Sequence, residues 1–475
     1  MSAVFAIAAA DFKDAWRDFR LPVLAALSLV LAFVAAWTSV DRVTRLEAER
    51  AAAHAQDRET WLGQGMANPH TIAHFSQVAM KPATHLAAFD PGVNAELGAT
   101  IWMEAHWQNP ANNRAAEDTL EAQRFADLTP AWTLQIIAPL VIVALGFPLF
   151  ARARESGLWR SLAASGVSAA ALLTAKFASL LLLSLLALFP LIVAAFWTPI
   201  AADAPAAPDQ TVRAGWLIGL YALYLLAVIA ITLAVSAWAR TARFSLAILS
   251  GLIIAIALIA PRAITSAADL ASPAPAPQVF EAGLREGLEA GIDGHNSADA
   301  RAEALEQRVL AQYGVARVED LPVSFAGISL QAGEEHANTV FDHHFSALYD
   351  AYARQRAIAR AWSWISPSLA LSDASITLAG ADDIHHRHFT AAAESHRRTI
   401  IRQLNEDMIV NARGLDFDYL ADPALWAAVP DFAYAPPALD ARARAHVSHA
   451  LNVLSCWTLL ALLLAFVGVR RWAKA

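Results

Sequence analysis

Residues 169–197 read AAALLTAKFASLLLLSLLALFPLIVAAFW, and Lys176 is the only charged residue among them. A helix needs about 20 apolar residues to cross about 30 Å of hydrocarbon. The stretch is long enough and therefore predicts a transmembrane helix. Lys176 lies near its start, where its ammonium could anchor the helix or contact lipid phosphates. We expect it to reach the inner membrane surface by snorkelling, since its long stem is apolar.

Five further stretches repeat this pattern along the chain. The six predicted spans are residues 21–40, 131–150, 169–197, 214–238, 244–260 and 450–469. The composition agrees, because 57% of the 475 residues are hydrophobic and 16% are charged. Such a chain is too apolar for a surface that lies entirely in water. The sequence therefore predicts an all-α integral membrane protein with six transmembrane helices.

Basic residues orient these spans, because short cytoplasmic loops carry an excess of Lys and Arg. With both termini in the cytoplasm, the following residues all fall on the inner side: Lys13, Arg17, Arg20, Arg152, Arg154, Arg160, Arg240, Arg243, Arg470, Arg471 and Lys474. Tryptophans also lie near most span ends, as expected at a membrane–water interface.

Residues 1–20 precede the first span and contain Phe5, Phe12, Trp16 and Phe19 at helical spacing. This pattern predicts a cytoplasmic amphipathic helix in the membrane interface, with a frayed tail as the alternative. A cleaved signal peptide is the competing interpretation of the first span. Its apolar run is longer than a signal peptide requires and acidic residues precede it, so we expect a retained anchor.

Two long polar segments, residues 41–130 and 262–448, fall on the outer face in this topology. Together they are long enough to bury a core, so we expect one mainly helical extracytoplasmic domain built from two insertions. Helices are predicted over residues 298–313, 339–364 and 382–412. A stiff Pro/Ala linker over residues 271–277 is expected to join this domain to the fifth span.

Several classes of protein are excluded by composition and motifs. The net charge of −8 gives no basic surface for nucleic acid, and the single cysteine, Cys456, cannot form an internal disulfide. No G-x-S-x-G motif occurs, and no lysine follows a glycine as a phosphate-binding Walker A loop requires. We therefore expect no catalytic residue and no cofactor in this chain.

Histidines cluster in the polar segments, as in Asp342-His343-His344 and in residues 382–388, DDIHHRH. Imidazole and carboxylate ligands together suit zinc, copper or nickel. Adjacent residues on a helix point about 100° apart, so His343 and His344 cannot face one ion, whereas His385 and His388 are three residues apart and can. Solvated or interface histidines are the simpler interpretation, and His385 and His388 remain weak metal candidates.

The predicted cytoplasmic loop over residues 151–168 reads ARARESGLWRSLAASGVS. Its pattern is that of a short amphipathic helix able to dock a soluble partner, with three charged and three apolar residues at helical spacing. The charged residues are Arg154, Glu155 and Arg160, and the apolar residues are Leu158, Trp159 and Leu162.

This loop resembles that of ABC-2-type permeases, the membrane subunits of one class of ABC transporter. Their pattern is like E-x-G-T-L-R-x-L-L-A-x-P/G-V-S-R followed by a lysine, and the chain matches it at Glu155, Gly157, Leu158, Arg160, Leu162, Ala164, Gly166, Val167, Ser168 and Lys176. It departs from it at Ser156, Trp159 and Ala169. The resemblance implies that the loop is a coupling helix seated in an ATPase groove. This role is carried to Arg154, Glu155, Ser156, Gly157, Leu158, Trp159, Arg160 and Leu162.

A second resemblance concerns a subgroup of these permeases with a large outer domain of unknown function. It rests on residues 364–370, WISPSLA, on residues 378–382, LAGAD, and on His388-Phe389. It implies a permease in the bacterial cytoplasmic (inner) membrane, working as a homodimer or with a sister permease. The partner ATPase subunit would bind ATP and Mg.

The implied function is export of a substrate that the sequence does not identify. A mechanotransmitting subunit that moves its outer domain against a periplasmic partner is the main alternative, and a membrane-anchored sensor without an ATPase is another. The spans contain no pair of acidic residues, which argues against a proton-driven transporter.

Overall fold

A computed structural model describes residues 3–112 and 128–472 of the chain. Within these ranges, six helices are long and apolar enough to cross a membrane. They are Arg20–Leu62, Pro130–Glu155, Ala169–Ala201, Gln210–Trp238, Ala242–Ala271 and Ala441–Arg471, called here the first to sixth spans. Each contains one predicted span, so the prediction of six helices is confirmed. The orientation of the termini stays a prediction.

The spans form a bundle whose centre is the second and fourth helices, which are the most buried of the six. The third span packs along the first, and the sixth packs along the fourth. Large apolar side chains on the outside of the bundle remain exposed, among them Phe33, Trp37, Leu459 and Leu463. This arrangement suits a surrounding lipid phase, because exposed apolar patches of this extent are rare on proteins in water.

Prolines disturb two spans in the same way. Thr133–Ile137 and Ala255–Ile259 are π-helical turns, and a proline follows each of them, at Pro139 and Pro261. Proline has no N–H and its ring clashes with the carbonyl four residues earlier, so the widened turn relieves the clash. The helix of the third span continues through Pro190 without such a change.

Before the first span lies helix α1 (Ala3–Arg17), which ends where Phe19 takes a left-handed backbone conformation, with φ of 62°. Its Asp11 and Ala15 face the third span and are buried, whereas Phe5, Trp16 and Phe19 are exposed. Three of the four apolar residues used to predict an interface helix therefore point away from the protein, whereas Phe12 is partly buried against the span core. Contact with lipid at this stripe stays a prediction.

The polar segments form what we call the polar domain, residues 63–112 and 272–440. After α2 (Leu158–Ala164) in the loop between spans, its main helices are α3 (Pro277–Ala290), α4 (Ala298–Tyr313), α5 (Phe325–Trp362), α6 (Pro367–Ala379) and α7 (Asp383–Asn411). Short helices occupy Pro69–Ala73, Asn94–Leu97 and Ala424–Ala428. In the described residues, one small antiparallel sheet pairs β1 (Val78–Met80) with β2 (Thr100–Trp102).

The two polar segments share one hydrophobic core. Trp61, at the end of the first-span helix, packs edge-on against Trp426 from the second segment. The Trp61 Nε1 donates to the carbonyl of Trp426 at 2.9 Å, and the Trp426 Nε1 donates to the carbonyl of Gly65 at 2.7 Å. Met103 and Phe389 belong to the same buried cluster. The segments thus fold together, as a domain built from two insertions requires.

Helix α6 joins this domain to the spans. Its Ala370, Leu371, Ala374 and Leu378 are buried in the same cluster as the span residues. In the fifth span, the Ala260 N–H donates to the Ala255 carbonyl, and Pro261 has no N–H to donate. The neighbouring carbonyl of Ile256 instead accepts the hydroxyls of two serines in the predicted serine-proline motif, Ser366 at 2.6 Å and Ser368 at 2.9 Å.

Candidate coupling surface

The loop between the second and third spans folds as two short helices joined by a glycine. Ala151–Glu155 ends the second span, Gly157 takes a left-handed conformation with φ of 70°, and α2 follows. Ser168 then caps the third span by accepting a hydrogen bond from the Ala171 N–H at 3.1 Å. The predicted single coupling helix is thus divided at Gly157, because a left-handed residue cannot continue a right-handed helix.

Side chains on the inner side of the loop hold it against the spans. Trp159, Leu162 and Val167 are partly buried against the span core. Arg154 donates from Nη1 to the carbonyl of Ala239 at the end of the fourth span, at 3.0 Å. These residues give the loop a fixed position.

The outer side of the loop is exposed over Glu155, Ser156, Gly157, Leu158 and Arg160, which we call the coupling surface. Half of the surface of Leu158 is accessible. The apolar patch predicted from Leu158, Trp159 and Leu162 is therefore split, since the last two face the spans. An exposed leucine between a carboxylate and a guanidinium can form a small contact with a complementary protein groove.

Helix α1 lies beside this loop and is fixed by a buried ion pair. Lys176 is only 5% exposed, and its Nζ lies 2.7 Å from Asp11 Oδ1. Ser179 donates to the other carboxylate oxygen of Asp11 at 2.8 Å. The expected snorkelling of Lys176 is wrong, because a carboxylate from the same chain already neutralises its charge within the protein. At the end of α1, Asp18 lies 3.8 Å from Arg152.

At the other end of the bundle, a polar network surrounds α6. Arg356 pairs with Asp373 at 2.7 Å and with Asp382 at 2.8 Å, and it also contacts Asp383. Burial alone would raise the pKa of Asp382, but the hydrogen bond with His385 and the charge of Arg356 hold it well below its usual value. Arg356 also lines a cavity of about 500 Å³ between α5, α7 and the start of the sixth span.

The structure places the two weak metal candidates in separate hydrogen bonds. His385 is buried with Nδ1 2.5 Å from Asp382 Oδ1, and His388 has Nδ1 3.1 Å from the Tyr434 hydroxyl. Among the described residues, a converging set of three ligand side chains occurs elsewhere, at His70, His74 and His106. This set was not predicted from the sequence, although the spacing of four between His70 and His74 is a visible signal.

Two protein families match the amino-acid sequence. Residues 109–280 match the ABC-2 family transporter proteins, over the coupling surface and the second to fifth spans. This match confirms the expected resemblance to the ABC-2-type permeases. Residues 278–435 match a domain of unknown function, which covers α3 to α7 and confirms the expected subgroup with a large additional domain. No curated protein and no solved structure matches the chain.

The family match and the six apolar helices support a multi-pass membrane subunit of a transporter. Proteins of this family are membrane subunits and not themselves ATPases. The family in general works with an ABC ATPase partner. In this chain, the loop that resembles the family pattern also carries the exposed coupling surface, and Leu158 on that surface is not packed against the spans.

Proposed function

We propose that this permease couples ATP hydrolysis by a separate ATPase subunit to export of a substrate across the bacterial inner membrane. The ATPase binds ATP and Mg²⁺, and its groove receives the coupling surface. Two permease subunits, identical or sister chains, enclose the path between them, with both termini of each in the cytoplasm. The exposed position of Glu155 to Leu158 on a loop fixed to the spans is the observation that carries this proposal.

Several contacts at the same end of the bundle support a cytoplasmic assignment for the coupling surface. The guanidinium of Arg471, near the end of the chain, lies 4.9 Å from the ring centroid of Trp238. Arg154 and the end of α1 also meet at this end through Ala239 and Arg152. Three of the basic residues that orient the spans, Arg152, Arg154 and Arg471, thus lie at the same end of the bundle, as the positive-inside rule expects of a cytoplasmic face. Lys474 lies outside the described residues.

Force applied to the coupling surface has a direct route into the spans. Glu155 ends the second span, and Ser168 begins the third within a few residues of α2. Because Trp159 and Leu162 pack on the span core, displacement of α2 displaces that packing as well. At the opposite end, α6 is buried against the fourth, fifth and sixth spans, so their movement reaches the polar domain.

The docking site is tested by co-purification of the chain with an ABC ATPase subunit from the same source. Glu155→Arg and Leu158→Asp change exposed residues and should reduce the recovered ATPase at least about 10-fold, by charge repulsion and by loss of an apolar contact. Glu306→Arg and Val279→Asp are the control variants, because they make matching changes at exposed positions of the polar domain, and the ATPase should be recovered normally with both. Undiminished recovery with both loop variants would contradict the proposed docking site.

Export itself is tested in proteoliposomes that contain the permease and this ATPase. ATP-dependent flux of an offered compound that Glu155→Arg abolishes is the expected result. ATP-dependent movement of the polar domain without flux of any offered compound would instead favour the mechanotransmitting alternative.

A further inference from the structure

Three histidine side chains converge in the first segment of the polar domain, which precedes the coupling surface in the sequence. His70 and His74 lie on and just after the short helix Pro69–Ala73, and His106 follows strand β2. Their ring centroids are 4.8 to 5.3 Å apart, and one nitrogen from each ring lies within 4.8 Å of the others.

The spacing of the first two rings fits a metal ion. Residues four apart on a helix lie on one face, and the Nε2 atoms of His70 and His74 are 3.4 Å apart. For tetrahedral zinc with nitrogen at about 2.0–2.1 Å, two ligand nitrogens are about 3.3 Å apart. The third nitrogen, from His106, lies within 4.8 Å of this pair, and its approach to the same spacing would complete three corners of a tetrahedron.

The short helix that carries the pair is rigidly held. Asn68 caps it by accepting hydrogen bonds from the His70 N–H at 2.9 Å and the Thr71 N–H at 3.2 Å. The Asn68 amide also donates to the carbonyls of Phe417 and Tyr419, in the second polar segment. The two imidazoles are therefore positioned by both segments of the domain.

His106 is oriented by a carboxylate behind it. Its Nδ1 lies 2.9 Å from Glu334 Oε1, and the same oxygen accepts its backbone N–H. This contact leaves Nε2 of His106 for a ligand. A histidine that ligates a metal usually donates its other ring nitrogen to such a carboxylate.

Glu334 is itself fixed, and the backbone of His106 is strained. The carboxylate is 2% exposed and pairs with Arg397 at 2.9 Å. His106 has a φ of 64°, a left-handed conformation that costs energy for a residue with a side chain. The surrounding contacts hold the ring in place at that cost, while 43% of the side chain stays open to solvent.

We propose that His70, His74 and His106 bind one first-row transition-metal ion of the zinc, copper and nickel group, with Glu334 orienting His106. Three neutral imidazoles suit these ions, and the exposed side of His106 leaves a fourth position for water or an exchangeable ligand. Because Glu334 and Asn68 tie the ligands to both polar segments, a bound ion stabilises the association of the two segments.

The test uses the full chain, purified in detergent without a polyhistidine tag and stripped with a chelator. Zn²⁺ is then titrated, and the bound metal is measured by elemental analysis after desalting. One equivalent per chain is expected, together with a higher unfolding temperature in Zn²⁺, since a ligand of the folded state stabilises it. Absence of a stoichiometric ion would overturn the proposal.

Variants locate the ion. His74→Ala and His106→Ala should each weaken Zn²⁺ binding at least about 10-fold, whereas His295→Ala, at an exposed position, should not change it. Two results would overturn the site. One is loss of zinc only in the double variant His385→Ala with His388→Ala, and the other is full zinc affinity in both His74→Ala and His106→Ala.

A more conservative variant and an absorption spectrum distinguish loss of the metal site from misfolding of the chain. His74→Gln keeps a side chain of similar length and should also weaken binding. Co²⁺ bound to the unmodified chain should give the strong visible absorption of a tetrahedral nitrogen site. A weak octahedral spectrum would show that the three histidines do not form the proposed site.

Discussion

The buried pair between Asp11 and Lys176 should determine whether helix α1 stays docked on the third span. Asp11→Ala leaves the ammonium of Lys176 buried without its carboxylate, and the nearby Ser179 hydroxyl carries no charge that could replace it. Removing one partner of a buried ion pair costs about 3–5 kcal/mol. At about 1.4 kcal/mol for each factor of ten, 3 kcal/mol raises the undocked population about 150-fold.

Limited trypsin digestion measures this population, because α1 contains Lys13 and Arg17 as cleavage sites. When opening and closing are faster than cleavage, the cleavage rate follows the open fraction. We therefore expect the purified Asp11→Ala variant to release its N-terminal peptides at least about 100-fold faster than the unmodified chain, as followed by mass spectrometry.

Two further variants decide the interpretation. Asp14→Ala removes an exposed carboxylate from the same helix and should change the rate little. The double variant Asp11→Ala with Lys176→Met removes both charges and should return most of the way to the unmodified rate, since no unpaired charge stays buried. Equal cleavage of Asp11→Ala and Asp14→Ala would refute the reasoning and show that α1 is held by apolar packing alone.

Two other predictions concern the polar domain and its junction with the spans. Burial lowers the pKa of Lys81 to about 8, a cost of about 3 kcal/mol that is fully present below pH 8 and is relieved as the pH rises toward 10.5. Lys81→Met should therefore raise the unfolding temperature at pH 7 more than at pH 10, and an equal effect at both would contradict this. Ser366→Ala with Ser368→Ala deprives the Ile256 carbonyl of both hydroxyl donors, at about 1–3 kcal/mol. The double variant should unfold at a lower temperature than Ser346→Ala, a change at an exposed serine, and equal temperatures would contradict the assigned role.

Much of the fold follows from local patterns. Each span is an apolar run long enough to cross a bilayer, and such runs are read directly from composition. Helix α4 has the predicted limits, Ala298 and Tyr313, because Ser297 caps its start and Gly314 ends it in a left-handed conformation. Helix α5 begins at Phe325 rather than 339, since Ser324 caps a first turn whose apolar pattern is weak. The predicted span limits are the ends of the apolar runs, whereas the helices that contain these runs continue beyond them.

The interactions that fix the candidate sites are long-range, and local patterns do not reveal them. The sequence shows Lys176 as an isolated charge in an apolar run, and its neutralising carboxylate lies on a separate helix before the first span. In the coupling loop, helical spacing groups Leu158 with Trp159 and Leu162. Only the packing of the spans shows that Leu158 alone of the three remains on the accessible side.

The metal candidates predicted from the sequence, His385 and His388, came from a dense run of histidines, and helix geometry acts against such runs. Side chains of neighbours such as His343 and His344 diverge by about 100°, so a dense run of histidines rarely presents several rings to one point. A pair spaced by four, such as His70 and His74, does present them, but it needs a third ligand that no local rule supplies. Here His106 fills that position only because the turn after β2 is left-handed and Glu334, from the other polar segment, holds its ring. The convergence is thus a property of the assembled domain, and loss of Glu334 or of the carbonyls that hold Asn68 should weaken metal binding about 10- to 100-fold even with all three histidines intact.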